Sequence, residues 1–594
     1  MFRFALHCIL AICLGAMFIV PDADAGKIKL PYKKAGLNKK QAAAHLLERF
    51  AFGARPGEVN RVAKMGPEKW LAQQLEGTLP DAQLEKRLKA FPAVAMTTAE
   101  IVATHPKNGY LRKEMSKAGI LDVEKMKKKE INNKMKAYRK EKGLRTLGQL
   151  TNQDLPGQKL VRAVYSENQL REVLTDFWFN HFNVTIRDGA ARHFVLSYEQ
   201  DAIRSNALGQ FRTLLGATAK HPAMLHYLDN TQSRAPQQNQ QNQRRNRNQQ
   251  NQTMAADNEM GGEMGGEMAS GKKPGQKAAI PKPPPKRQKR GLNENYAREL
   301  MELHTLGVDG GYTQKDVVEV ARALTGWGAF PVGNKSILKN MKRNPQNFVH
   351  EGDFLYRRFW HDRKAKVILG ETFPAGGGVE EGERVLNMLA KHPSTARFIS
   401  TKLARRFVSD KPSETLINHL SDTFTKTRGD IKAMMITLAQ SPEFWAEAKT
   451  RSKLKSPFTL ASSALRALEA DVKNPRPTLN WITRMGEPLY RYLPPTGFPD
   501  YAESWANTGT LVTRMNFGIG LVTGRIGGVV INLPTKGKNN STNELLKTYS
   551  KILLPEQEAK DTLNQVKITV PENAQKKDVQ VIALLLGSPE FQYH

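Results

Sequence analysis

Gly291-Leu-Asn-Glu-Asn-Tyr-Ala-Arg-Glu-Leu-Met-Glu-Leu-His-Thr-Leu-Gly307, followed by Val-Asp-Gly-Gly-Tyr-Thr-Gln-Lys-Asp316, carries the spacing of two consecutive helices. Tyr296, Leu300 and Leu303 fall at i, i+4 and i+7 and form an apolar stripe, while Glu294, Arg298 and Glu302 fall at i, i+4 and i+8 on another face. The spacing predicts a helix over 293–306, stopped by Gly307 as the left-handed residue past its end. Thr313 with Asp316 predicts a capping box for a second helix over 314–324, which buries Val317, Val320, Ala321 and Leu324. Two helices joined by a tight Gly-rich loop are therefore expected.

The same periodicity recurs on both sides. Ala42 to Phe50, Gln169 to Phe179, Glu380 to Ala390, Thr395 to Phe407 and Leu460 to Leu468 each place apolar residues at i, i+3 and i+4. One region argues for strands. Phe354, Tyr356 and Arg358 alternate between Asp353 and Trp360, and His361-Asp362-Arg363 is expected to turn the chain into Val367-Ile368-Leu369-Gly370 as a hairpin. Two stretches depart from this core. Residues 112–145 carry 13 basic and 5 acidic residues around a thin apolar stripe and read as a solvated helical excursion. Residues 232–291 pass through a Gln/Asn/Arg tract, repeated Glu-Met-Gly-Gly and a Pro/Lys-rich end; too little apolar surface is available there to fold, so a disordered insert is expected. The expected fold class is mainly α: one large multi-helix domain with a minor β-hairpin, built from residues 26–231 and 292–594 and interrupted by the insert.

Of 594 residues, 90 are Lys or Arg and 57 are Asp or Glu, a net charge of +33. With 40% apolar and 25% charged residues the composition is that of a globular protein, which excludes collagen-like, disulfide-scaffold and wholly disordered chains. Arg3 precedes an apolar run to Val20 broken by His7, and Ala23-Asp24-Ala25 supplies a small-residue cleavage site. Residues 1–25 thus read as a secretory signal peptide, with an uncleaved anchor helix as the rival. Both cysteines, Cys8 and Cys13, fall inside it, so the processed chain is expected to be cysteine-free, which excludes thiol nucleophiles, zinc thiolates and iron–sulfur clusters. No later stretch is apolar enough to span a bilayer, and a soluble or peripheral protein of the periplasm or cell exterior is expected. Export moves the partners of so basic a chain from nucleic acid to anionic lipid or anionic envelope polymers.

Candidate chemistry lies in several places. If another element roofs the charged ladder of 294–302, Arg298 is clamped between Glu294 and Glu302, and Glu299 and His304 become acid–base candidates; if water covers it, the ladder is structural. His181, amid Trp178, Phe179 and Phe182, is either a further acid–base group or a hydrogen-bonded polar residue in an aromatic core. His181, His304, His361 and Asp362 are the residues from which a metal site could be assembled across the fold, although no His-Glu-x-x-His is present. Arg397, Lys402, Arg405 and Arg406 share one basic helix, in which the last three stand at i, i+3 and i+4 and can grip a sulfate, phosphate or uronate. There is no Gly-x-Ser-x-Gly and no nucleotide- or flavin-binding motif, so the cofactor is left open.

Several blocks resemble, in order, the bacterial family called domain of unknown function 1800. They are Leu46-Leu-Glu-Arg-Phe-Ala-Phe-Gly53, Phe177-Trp-Phe-Asn-His-Phe-Asn-Val184, the 293–316 stretch, Ala321-Arg-Ala-Leu-Thr-Gly-Trp327, His361-Asp362 through Lys366 to Gly370, His392-Pro-Ser-Thr-Ala-Arg397 and Lys455-Ser-Pro-Phe458. The resemblance runs from about Leu37 to the C-terminus outside the two excursions. It implies an exported, mainly helical bacterial protein, often encoded beside a second exported family that resembles alkaline phosphatases and sulfatases, which is the expected partner. It implies no catalytic residue; its most polar signature positions are Trp178, Asn180, His181, Glu294, Arg298, Glu299, Glu302, His304, His361 and Asp362. The chain departs from the family pattern at Phe498, where a Trp is usual. Two functions stay open: an accessory or binding protein of the bacterial envelope acting with an exported partner, and a hydrolase or lyase built on Glu and His acid–base groups, with or without a metal.

Overall fold

The computed structural model describes residues 28–235, 291–332, 335–535 and 540–594. The expected signal peptide, 1–25, lies outside the described residues, as does the expected insert apart from 232–235 and 291. Helices dominate what is described, and nine of them shape the site. They are α1 (Lys39–Arg49), α2 (Leu155–Tyr165), α3 (Gln169–His181), α4 (Glu294–Glu302), α5 (Gln314–Ala323), α6 (Val379–Lys391), α7 (Pro393–Phe407), α8 (Pro457–Ala467) and α9 (Thr508–Val522). One hydrophobic core runs from Ile28 to Phe591 and draws on described residues from both sides of the insert, which therefore share one interior.

Local sequence explains the helix ends. Asn38 opens α1 with a capping box completed by Gln41, and Thr313 with Asp316 opens α5 in the same way. Ser456 accepts the Thr459 N–H at the start of α8, with Pro457 in the first turn. The expected 293–306 helix is shorter in the structure. Asn293 caps it, but α4 ends at Glu302 because the last turn widens: the Thr305 hydroxyl donates to the Leu300 carbonyl at 2.7 Å and the Leu306 N–H reaches back to Met301. Gly307 then takes φ +84°, and a Cβ there would press on the Phe398 ring of α7 at 3.1 Å.

Buried polar groups tie distant segments to this core. Arg466 of α8, 1% exposed, donates to the carbonyls of Gly53 and Val164 and to Glu58 at 3.0 Å. The Phe52 N–H donates to Gln169 at the head of α3. The block ending at Gly53 is therefore a junction for α1, α2, α3 and α8.

The β structure departs from the expected pairing. β1 (Trp327–Ala329), β2 (Phe348–Glu351) and β3 (Phe354–Arg357) form an antiparallel sheet in the order β1-β3-β2, while β4 (Lys366–Ile368) pairs with β5 (Glu371–Phe373). Minor hairpins are present, yet 353–360 does not pair with 367–370. The reason is local. His361 and Asp362 are drawn into a buried polar cluster instead of a turn, whereas Leu369 and Gly370, at φ +49° and +82°, supply the two left-handed residues that a tight hairpin needs between β4 and β5. A third sheet, of two strands, joins Asp471–Val472 to Val529–Val530.

The basic excursion is a pair of helices, Asn108–Lys117 and Lys128–Glu141, closed on its own small cluster of Leu111, Met115, Leu121, Ile131 and Met135. At the insert, the Arg234 N–H donates to the Gly291 carbonyl at 3.3 Å and the Asn293 N–H to Ser233 Oγ at 3.2 Å, so the chain leaves the core and re-enters it at adjacent points. Among the described residues no helix is long and apolar enough to cross a membrane.

Candidate functional site

The charged ladder of α4 lies half-buried beside α5 and is not clamped on itself. Arg298 donates to Gln314 Oε1 at 2.7 Å and Gln314 Nε2 donates to Glu294 at 2.8 Å, so the first residue of α5 stands between the two charges. Glu302 accepts a long bond from Tyr312. Burial and the neighbouring Glu302 raise the Glu299 carboxyl, against Arg298. These residues fasten α4 to α5.

His361 and Asp362 belong to a second cluster. His361 Nδ1 lies 2.9 Å from the Thr325 carbonyl and its Nε2 lies 3.1 Å from Glu381 of α6, whose same oxygen pairs with buried Lys366 at 2.6 Å. Asp362 pairs with Arg322 at 2.9 Å. His181 and His304 sit elsewhere, side by side with ring centroids 6.3 Å apart. Among the described residues no three His, Cys, Asp or Glu side chains are placed to hold a metal ion, so the expectation of a shared ligand set from His181, His304, His361 and Asp362 is corrected. His361 and Asp362 are committed to Glu381 and Arg322, which pin the sheet region to α5 and α6.

His181 instead belongs to the wall of a cavity of about 290 Å³. Its construction starts at the C-terminal end of α3. The Asn180 amide forms a two-way bridge with Phe498, donating to its carbonyl at 2.8 Å and accepting its N–H at 2.7 Å. Asn183 donates to the Pro494 carbonyl, and the Ile186 N–H to the Tyr490 carbonyl. The Asn-His-Phe-Asn block thus holds the 487–505 loop against α3. Gly497 permits the close approach: it has φ +72°, and a Cβ would lie 2.1 Å from the Asn180 carbonyl. The signature stretch supports the same wall from behind, because the His304 carbonyl accepts from His181 Nε2 at 3.1 Å and Phe398, packed on Gly307, lies 5.4 Å below Lys402 Nζ.

α7 contributes the cations. Lys402, Arg405 and Arg406 all line the cavity, as their i, i+3, i+4 spacing allows. Arg397 does not join them; it is exposed and pairs with Glu414 at 2.6 Å. The wall also holds carboxyl groups, and each is already engaged. Asp176 pairs with Lys159 at 2.7 Å and more distantly with Arg406, and Asp500 lies 3.4 Å from Lys453. Burial alone would raise Asp500, but Lys453, Arg406 and Lys402 hold it below the ordinary carboxylate range. Glu487 accepts the Phe458 N–H at 2.8 Å; burial, with Asp176 nearby, pushes its carboxyl up to about 7.

Lys402 and Arg405 have no such partner. No carboxylate among the described residues lies within ion-pair distance of either, and Arg405 Nε is buried without a hydrogen bond. Burial lowers Lys402 to about 8, Asp500 opposing and Arg405 adding to the fall. Burial, Lys402 and His304 together keep His181 well below its ordinary value. Its Nε2 faces a carbonyl and so carries the proton, which leaves Nδ1 as a buried acceptor without a partner.

The sequence pattern selects Lys402, Arg405, Arg406, Asn180 and His181. It misses Lys159, Asp176, Glu487, Tyr490 and Asp500, whose shared position depends on loop 487–505 meeting α3. The Pro-Pro-Thr-Gly-Phe-Pro-Asp500 run was the available signal, since a turn-rich segment with an acidic end marks a loop able to carry function.

A family model described as a protein of unknown function, DUF1800, matches residues 45–593, and the chain belongs to that family. No curated protein and no solved structure matches it.

Proposed function

We propose that this DUF1800 member is an exported binding protein of the bacterial envelope that holds an anionic group on Lys402, Arg405 and Arg406. One observation carries the reading: Lys402 and Arg405 line a cavity and no carboxylate among the described residues lies within ion-pair distance of either, Asp500, the acid that acts on Lys402 from farther off, being bonded to Lys453. An unpaired cation in a desolvated site is costly, and a ligand anion supplies the missing partner. Export is supported by the apolar run to Val20 followed by the Ala23-Asp24-Ala25 site, and an anionic envelope partner by the net charge of +33. An exported phosphatase- or sulfatase-like protein remains the proposed companion.

The test is calorimetric titration of the purified chain with sulfate, phosphate and galacturonate at low and high salt. Saturable, salt-weakened binding that Lys402→Met and Arg405→Met each abolish is expected; identical heats from the wild type and both variants refute it. Export is checked by N-terminal sequencing of the chain recovered from the periplasmic fraction, which should begin at Gly26.

A hydrolase or lyase reading has one observation in its favour. Glu487, raised to about 7, and Lys402, lowered to about 8, line one cavity, and such a pair is suited to proton transfer near neutral pH. Glu294, Glu299 and Glu302 do not line it.

A further inference from the structure

The cavity has two kinds of wall. α7 supplies charge, whereas the 487–505 loop supplies rings. Tyr492 and Phe498 lie 4.4 Å apart, Phe498 and Trp505 5.7 Å apart, and the Arg405 guanidinium sits 4.6 Å above Tyr501. All four rings line the same space as Lys402. A bare oxyanion would use the cations and leave this aromatic strip idle. At about 290 Å³ the space stands at the lower edge of the ~300–1,000 Å³ found for small-molecule sites, so it admits one ring-sized group.

We propose that the ligand is an acidic sugar unit, a hexose ring bearing a carboxylate or a sulfate ester, with its anionic group on Lys402 and Arg405 and its C–H face on the rings of the 487–505 loop. The proposal rests on the anion-binding reading and narrows it. Both kinds of wall then have a counterpart in the ligand: cations for the acidic group and flat rings for the apolar face of the sugar. Phe498, held by both bonds to Asn180, is the ring whose position the α3 end fixes most firmly.

The experiment compares galacturonate, glucuronate and glucose 6-sulfate with glucose, acetate and inorganic sulfate by calorimetry on the whole processed chain. It is repeated with Tyr492→Leu, which removes a ring face but keeps apolar volume, after thermal melting has shown the variant folded. At least one acidic sugar should bind ten-fold or more tighter than acetate, inorganic sulfate and glucose, and Tyr492→Leu should weaken that sugar about ten-fold while leaving inorganic sulfate unchanged. Inorganic sulfate binding as tightly as the acidic sugars overturns the sugar proposal and leaves the anion reading standing. Glucose binding as tightly, or no anion binding at all, overturns both. Equal weakening of sugar and sulfate by Tyr492→Leu also overturns the proposal, because the ring would then act through the cations alone.

Discussion

Lys402→Met should make the protein more stable while removing its ligand. The ordinary lysine value is 10.5 and Lys402 is lowered to about 8. That difference, at about 1.36 kcal/mol per pKa unit, sets the penalty for keeping the folded amine charged at roughly 3 kcal/mol. Lys402 keeps partial exposure at the cavity, so screening leaves an expected gain of about 1–3 kcal/mol for the uncharged methionine at pH 7. The pH dependence has a definite sign. Below pH 8 both folded and unfolded chains carry the proton and the penalty is present in full; between 8 and 10.5 the unfolded chain holds the proton that the folded chain has lost, so wild-type stability rises and the advantage of the variant fades. Urea unfolding of both proteins at pH 7 and pH 10 measures this. A variant less stable than wild type at pH 7, or a gain that does not shrink at pH 10, would show that Lys402 is a satisfied structural cation and would refute the argument for an unpaired charge.

Three further outcomes are expected. Glu487→Gln should keep the bond from the Phe458 N–H yet escape the cost of ionising a carboxyl raised to about 7; wild-type stability should fall as pH rises from 4.5 through 7 and that of the variant should not, so the unfolding free energies of the two from urea titration should differ by about 1–3 kcal/mol more at pH 8 than at pH 5. Gly497→Ala forces a Cβ into left-handed backbone and against Asn180, at a cost of about 2–4 kcal/mol from strain and the two weakened Asn180–Phe498 bonds, and should abolish anion binding; an unchanged melting temperature would be inconsistent with this. Arg466→Met takes the donor from the Gly53 carbonyl and one of two ion-pair partners from Glu58, which keeps Arg61, and should cost about 2–4 kcal/mol by chemical denaturation, with a smaller loss indicating that water replaces the guanidinium.

How much of this was legible depends on the distance over which each feature is decided. The apolar stripe from Tyr296 and the Thr313-x-x-Asp316 box are local, and α4 and α5 form where they predict. The early end of α4 was not legible, because it turns on the Thr305 hydroxyl competing for the Leu300 carbonyl. The α7 cations were legible as a group, since helical spacing alone puts Lys402, Arg405 and Arg406 together; that Arg397 would turn to Glu414 was not. The strand pairing failed for a tertiary reason, the capture of His361 by Thr325 and Glu381. Most of the cavity was hidden for the same reason. Asn180 and Phe498 stand 318 positions apart, and no periodicity connects Lys159, Asp176, Glu487 and Asp500 until the loop is seated.

The adjacency of Arg234 and Gly291 has a consequence for the chain as a connected object. Because the two flanks are already bonded to each other and to the core, closure does not depend on the length of what joins them, and loop entropy grows only slowly with that length. Covalent continuity at this point is dispensable to the architecture. Cut there, the protein would become a heterodimer of residues 28–235 and 291–594 held by a common interior, and the same junction would accept a foreign domain as readily as it accepts its own fifty-five residues, 236–290.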